Sequence, residues 1–120
     1  MRDAPGARFP AMVGIDLVEI DDVREALRMH GERYLRRIYT EREIAESRGR
    51  PERLAERFAA KEAALKTLRQ ADEAIPWRAI EVDGASLRLE GQAAELAGNR
   101  ELALSVCHEG PVAAAVVVAR

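Results

Sequence analysis

Three residues of types that handle phosphate and divalent cations stand in two separate stretches: Asp16 near the start, and Glu62 with Lys66 halfway along. Asp16 sits in Val13-Gly14-Ile15-Asp16-Leu17-Val18, an otherwise apolar strand-like run. An ionised carboxylate there bears a large desolvation cost unless it is paired or bound to a cation. Its ordinary role would be a strand-edge salt bridge. Glu62, Lys66 and Arg69 fall at i, i+4 and i+7 of a helical run, so one flank carries a carboxylate beside two cations. That layout suits a divalent metal plus phosphate oxygens, and carboxylate oxygens suit Mg²⁺. The same Glu-to-Lys spacing is also the commonest surface stabiliser of helices, worth roughly 0.2–0.5 kcal/mol with no ligand at all.

Other candidates are weaker. Lys61 falls inside the apolar stripe Leu54-Phe58-Leu65-Leu68, where its stem would snorkel along the core or its face would meet another subunit. His108, before a turn, could donate to phosphate or carry a proton, although a satisfied surface histidine is the commoner fate. Cys107 has no base or cation in register and reads as a small apolar core residue. No zinc-ligand spacing, P-loop or Gly-x-Ser-x-Gly occurs.

The elements that must position these residues follow from local pattern. Val13, Ile15 and Leu17 alternate as a strand, and Asp21-Asp22 offers an N-cap for the helix after it. Gly31 interrupts that helical segment. Thr40-Glu41-Arg42-Glu43 has the form of a capping box for a helix ending near Ser47. Pro51 opens the best-defined helix, which has no internal Gly or Pro up to Pro76. The second half reads as sheet: Ile80 and Val82, then Leu87 and Leu89 after Asp83-Gly84, then Leu102 to Val106, then Val112 to Val118 after Glu109-Gly110-Pro111. A short helix near Gln92 to Ala97 separates the pairs. The order predicts an α+β fold, a small antiparallel sheet packed with helices, and not a doubly wound one.

The chain has 120 residues, enough for one domain. Residues 1–11 read as a flexible extension and 12–120 as the domain. Aromatic residues make up only 4%, so the core is aliphatic and small, and such cores gain from self-association. A net charge of -2 gives no reason to expect nucleic-acid binding, and no apolar run approaches a membrane span. Arginines crowd between Arg24 and Arg57, facing either acidic or phosphorylated groups or plain solvent. A lone cysteine rules out an intrachain disulfide and suits the cytoplasm.

Taken together, Gly14-Ile15-Asp16-Leu17-Val18-Glu19-Ile20, Arg37 to Glu43, Arg57-Phe58-Ala59-Ala60-Lys61-Glu62-Ala63-Ala64-Leu65-Lys66 and Ser105-Val106-Cys107-His108 resemble the holo-acyl-carrier-protein synthase family. The resemblance spans residues 13–118 in order and spacing. It implies a 4'-phosphopantetheinyl transferase-like fold and a homotrimer, with coenzyme A and Mg²⁺ held in clefts between subunits. It implies that Asp16 and Glu62 bind the metal, that Arg57, Lys61, Lys66 and His108 bind or surround the coenzyme, and that Glu62 and Lys66 are catalytic. The base it suggests is Glu62, or else Glu109. The partner would be an acyl carrier protein.

Two positions depart from the family's pattern. The glycine-rich turn usual after the Glu62 helix is replaced by Leu68 to Trp77 without glycine and with Asp72 and Glu73, and Asp22 stands where the family usually has a carrier-gripping arginine. Arg24 and Arg28 are the nearest cations that could take over carrier binding. Two readings result: a working transferase, or a repurposed homologue that binds a carrier or carrier-bound thioester without coenzyme A transfer.

Overall fold

The computed structural model describes residues 13–68 and 74–120. Strand β1 (Val13–Glu19) leads into four helices, α1 (Ile20–His30), α2 (Glu32–Ile38), α3 (Glu41–Ser47) and α4 (Pro51–Leu68). A 3₁₀ turn at Trp77–Ala79 precedes β2 (Ile80–Asp83), β3 (Ser86–Leu89), α5 (Gly91–Ala97), β4 (Leu102–Glu109) and β5 (Val112–Ala119). The five strands form one antiparallel sheet in the order β1-β5-β4-β3-β2, as the α+β pattern predicted. The segment 1–11, Arg69 and the acidic pair Asp72-Glu73 lie outside the described residues.

The first helix starts earlier than its Asp21-Asp22 signal. Glu19 occupies the N-cap without a side-chain bond, and the Ile20 N–H donates instead to the Pro111 carbonyl at 2.9 Å, so the β4–β5 turn does the capping. Asp21 and Asp22 then fall in the first turn, where negative charge complements the helix dipole. Gly31 breaks α1 from α2 at a φ of 52°, a conformation that suits glycine. The capping box of α3 is present: the Thr40 hydroxyl accepts from the Glu43 N–H, and the Glu43 carboxylate accepts from the Thr40 N–H.

α4 packs across β1, β5 and β4 with a face wider than the leucine stripe, which lies along one edge of it. Its buried residues are mainly Leu54, Ala55, Ala59, Ala60, Ala63, Ala64 and Leu68, while Phe58 and Leu65 are only half-buried. The cause is close approach. A Cβ built on Gly14 of β1 would stand 2.0 Å from the Ala63 carbonyl oxygen, so a glycine faces an alanine row and backbone meets backbone. β5 answers with buried Ala113, Ala115, Val117 and Ala119. Helical periodicity found the helix, but two of the four bulky residues it weighted, Phe58 and Leu65, are at the edge of the contact.

Because Phe58 is half-buried against Trp77, Phe58→Ala is expected to cost about 2 kcal/mol, less than a full core aromatic. Urea unfolding with an unchanged m-value reads this directly.

The opposite face of the sheet is apolar and uncovered. Val13, Ile15 and Leu17 on β1 and Val116 and Val118 on β5 are exposed, Leu17 at 67%. Cys107 pairs with Ala114, which pairs with Leu17, so Cys107 belongs to this face and is exposed. This corrects its expected place in the core: alternation from Leu102, Leu104 and Val106 turns residue 107 away from the helices.

Candidate active site

Asp16 comes from β1, and Glu62 and Lys66 come from successive turns of α4. The Gly14–Ala63 contact two residues before Asp16 brings strand and helix close enough for the three to meet. The Lys66 ammonium donates to the Ile15 carbonyl at 2.6 Å and to Asp16 Oδ1 at 3.2 Å. Lys66 thus makes its ion pair across to β1 and not with Glu62 one turn back along its own helix. Asp16 and Glu62 line one cleft of about 440 Å³, with Glu19, Asp22, Tyr34 and Phe58 among its other walls. Burial, and then the charge of Asp16, push the Glu62 carboxyl above the usual carboxylate range; Lys66 opposes them more weakly.

Among the described residues no cluster of three or more His, Cys, Asp and Glu could hold a metal ion. Asp16 and Glu62, with Lys66 bound to Asp16, offer a carboxylate pair and a cation at a cleft whose walls also carry Glu19 and Asp22. Mg²⁺ is commonly held in that way, by one or two carboxylates with waters and substrate phosphates filling the remaining positions.

Known proteins share the fold. Residues 12–116 match the model of the 4'-phosphopantetheinyl transferase superfamily. The chain belongs to that superfamily. Among its relatives, the holo-[acyl-carrier-protein] synthase of Herpetosiphon aurantiacus is 38% identical over 122 residues, spanning 89% of this chain and 96% of its own. The fold resembles the Helicobacter pylori holo-[acyl-carrier-protein] synthase in complex with coenzyme A, at TM-score 0.81 and 25% identity, covering 91% of this chain and 100% of that one. It also resembles the Chronobacterium ammoniagenes ACPS–CoA complex, at TM-score 0.72 and 36% identity, covering 91% and 96%.

The remaining candidate residues of this phosphopantetheinyl transferase homologue lie apart from the acidic cleft. His108, at the end of β4, meets Glu56 of α4 through Nδ1 at 2.8 Å, and both border a recess of about 590 Å³ with Arg50, Glu52 and Arg53. Arg57 donates to the Arg53 carbonyl and to Glu46, and its buried Nε has no partner in the protein. Arg24 and Arg28 are exposed on α1, each bound to an acid three residues earlier, Asp21 and Glu25. Asp22, in contrast, lines the cleft itself.

Lys61 is a correction. Its side chain has no exposure, and its ammonium is saturated by Glu43 Oε1 at 2.7 Å, the Trp77 carbonyl at 3.1 Å and the Ile80 carbonyl at 2.6 Å. Three donors with three protein acceptors leave none for a coenzyme's phosphates. It neither snorkels to water nor faces another subunit.

Several participants escaped the sequence. Glu56 is separated from His108 by 52 positions, and no pattern along the chain pairs them. Glu43 announced itself only as a capping residue, although its carboxylate is also the buried counter-ion of Lys61. Tyr34 of α2 borders the cleft, and no motif marks it.

Proposed function

We propose that the chain transfers 4'-phosphopantetheine from coenzyme A to a serine of an acyl carrier protein, releasing 3',5'-ADP. The observation that carries this is the meeting of Asp16 and Glu62 at one cleft, with Lys66 bound to Asp16, in a chain of this superfamily. The named complexes of relatives with coenzyme A support the choice of substrate. In the reaction the serine oxygen bonds to the β-phosphorus while the bond from that phosphorus to the bridging oxygen breaks, and the serine proton is removed. Glu62 is the base in this reading, a carboxylate at the cleft whose burial raises its proton affinity in the metal-free protein. Lys66 stabilises the negative charge that builds on the phosphate oxygens.

Asp16 and Glu62 would hold a Mg²⁺ ion. When bound, it would supply charge neutralisation for the diphosphate. His108, Arg50 and Arg53 would meet the coenzyme's remaining phosphate charge from the second recess, with Arg57 beside them on the Arg53 carbonyl. The uncovered apolar face of β1 and β5 supports self-association, here as a homotrimer, and the lone cysteine supports action in the cytoplasm. No helix among the described residues is long and apolar enough to cross a membrane.

Calorimetry tests the binding half of this reading. Coenzyme A is expected to bind at least tenfold more tightly with Mg²⁺ than without, and Asp16→Asn is expected to erase that difference. Equal affinity in both buffers would remove the metal assignment.

A further inference from the structure

Four aromatic side chains fall within the described residues, and they form two ring pairs. Tyr34 and Tyr39 meet edge-on with centroids 5.6 Å apart, and Phe58 and Trp77 lie tilted at 5.1 Å. One member of each pair, Tyr34 and Phe58, lines the cleft that holds Asp16 and Glu62. The other members, Tyr39 and Trp77, are not part of that lining, and Lys61 reaches both residues. The Lys61 ammonium donates to the Trp77 carbonyl and sits 5.9 Å from the centroid of the Tyr39 ring, which is itself fully buried.

The ion pair is anchored on every side. Glu43 binds Lys61 through Oε1, which also accepts from the Thr40 N–H at 2.9 Å, while Oε2 accepts from the Val82 N–H at 2.7 Å. One buried pair therefore joins α3, α4, the Trp77 turn and β2. Stability alone is a poor reason for such a pair, because well-packed apolar residues usually replace buried ions at no loss. Direction is a better one. Three fixed acceptors hold the ammonium, and through it two backbone segments, in a single relative position, which apolar packing does not enforce. Tyr39 adds to this by donating its hydroxyl to the Leu54 carbonyl at 3.2 Å, which leaves its oxygen to accept from Tyr34 at 2.7 Å.

We propose that Lys61, paired with Glu43, is a positioning residue that sets both aromatic walls of the cleft, holding Phe58 through Trp77 and Tyr34 through Tyr39. Its kinetic consequence rests on the transferase reading. Its structural consequence does not.

Trp77 is the chain's only tryptophan, so its emission reports its own seat without any assay of activity. Two variants make the test: Lys61→Met with Glu43→Gln, which removes both charges together, and Trp77→Leu, which leaves the ammonium its carbonyl and removes only the ring. In the double variant, with far-UV circular dichroism unchanged, Trp77 emission is expected to shift red and acrylamide quenching to rise at least twofold. Both variants are expected to raise at least one reactant's KM five- to tenfold while kcat stays within twofold. A folded double variant with unchanged emission and quenching overturns the proposal whether or not the parent transfers phosphopantetheine. Should the double variant fail to fold, Trp77→Leu decides: unchanged KM values for both reactants overturn the link between clamp and cleft. A parent with no transfer but a red-shifted double variant would sink the transferase reading and leave the clamp standing.

Discussion

Glu62→Gln is expected to lower transfer by about 10²- to 10⁴-fold, the usual cost of losing a general base, without loss of melting temperature. The sign of the stability effect follows from the carboxyl's environment. Burial and the neighbouring Asp16 charge raise its proton affinity in the folded state above that in the unfolded chain. A group of that kind favours folding most when protonated, and its contribution declines as pH rises from the usual carboxylate range through the raised value. Above the raised value the ionised Glu62 therefore sits at a cost, and a neutral glutamine relieves it. Metal-free Glu62→Gln should melt at or above the parent temperature at pH 7 and gain less on acidification. A parallel fall in activity and melting temperature would make Glu62 a structural residue instead. Asp16→Asn differs in one respect: it also takes a partner from Lys66, so no stabilisation is expected there.

Gly14→Ala is expected to be the most damaging single methyl in the chain. Added methylenes in a packed core cost typically ~1–3 kcal/mol when side chains can give way. Here the obstacle is backbone: the new Cβ would lie 2.0 Å from the Ala63 oxygen and 2.9 Å from its carbonyl carbon. We expect a loss at or above the top of that range, about 3 kcal/mol or more, read by chemical denaturation. Activity should fall as well, because β1 must move off α4 and carry Asp16 away from Glu62 and Lys66. A protein of parental stability and activity would show that the strand and helix are not held by this contact.

The sequence carried the fold well where local rules dominate. The capping box at Thr40, the proline opening α4 and the alternation of the last two strands each became the element they signalled. It misjudged what tertiary contact decides. The Asp21-Asp22 cap gave way to the Pro111 carbonyl because a neighbouring turn supplies the acceptor. Leucine spacing caught one edge of the buried face of α4, at Leu54 and Leu68, and missed the alanine row that close packing against Gly14 favours. Cys107 was placed one residue out of phase, although the alternation of its own strand held the answer.

The site divides in the same way. Asp16, Glu62 and Lys66 were legible as a group because the family's motifs keep them together, and the fold does bring them to one place. Lys61 lies within the same motif and has a different fate, buried under Tyr39 and spent on Glu43. Membership of a motif did not reveal that; only the partner 18 residues earlier, unmarked by any helical or strand spacing, did.

The most direct measurement is mass spectrometry of an apo acyl carrier protein incubated with the full chain, coenzyme A and Mg²⁺. The expected result is a carrier heavier by one phosphopantetheine on its serine, with 3',5'-ADP appearing in equal amount and both signals nearly lost in Glu62→Gln. A folded protein that leaves carriers from several pathways unmodified and coenzyme A intact would contradict the account.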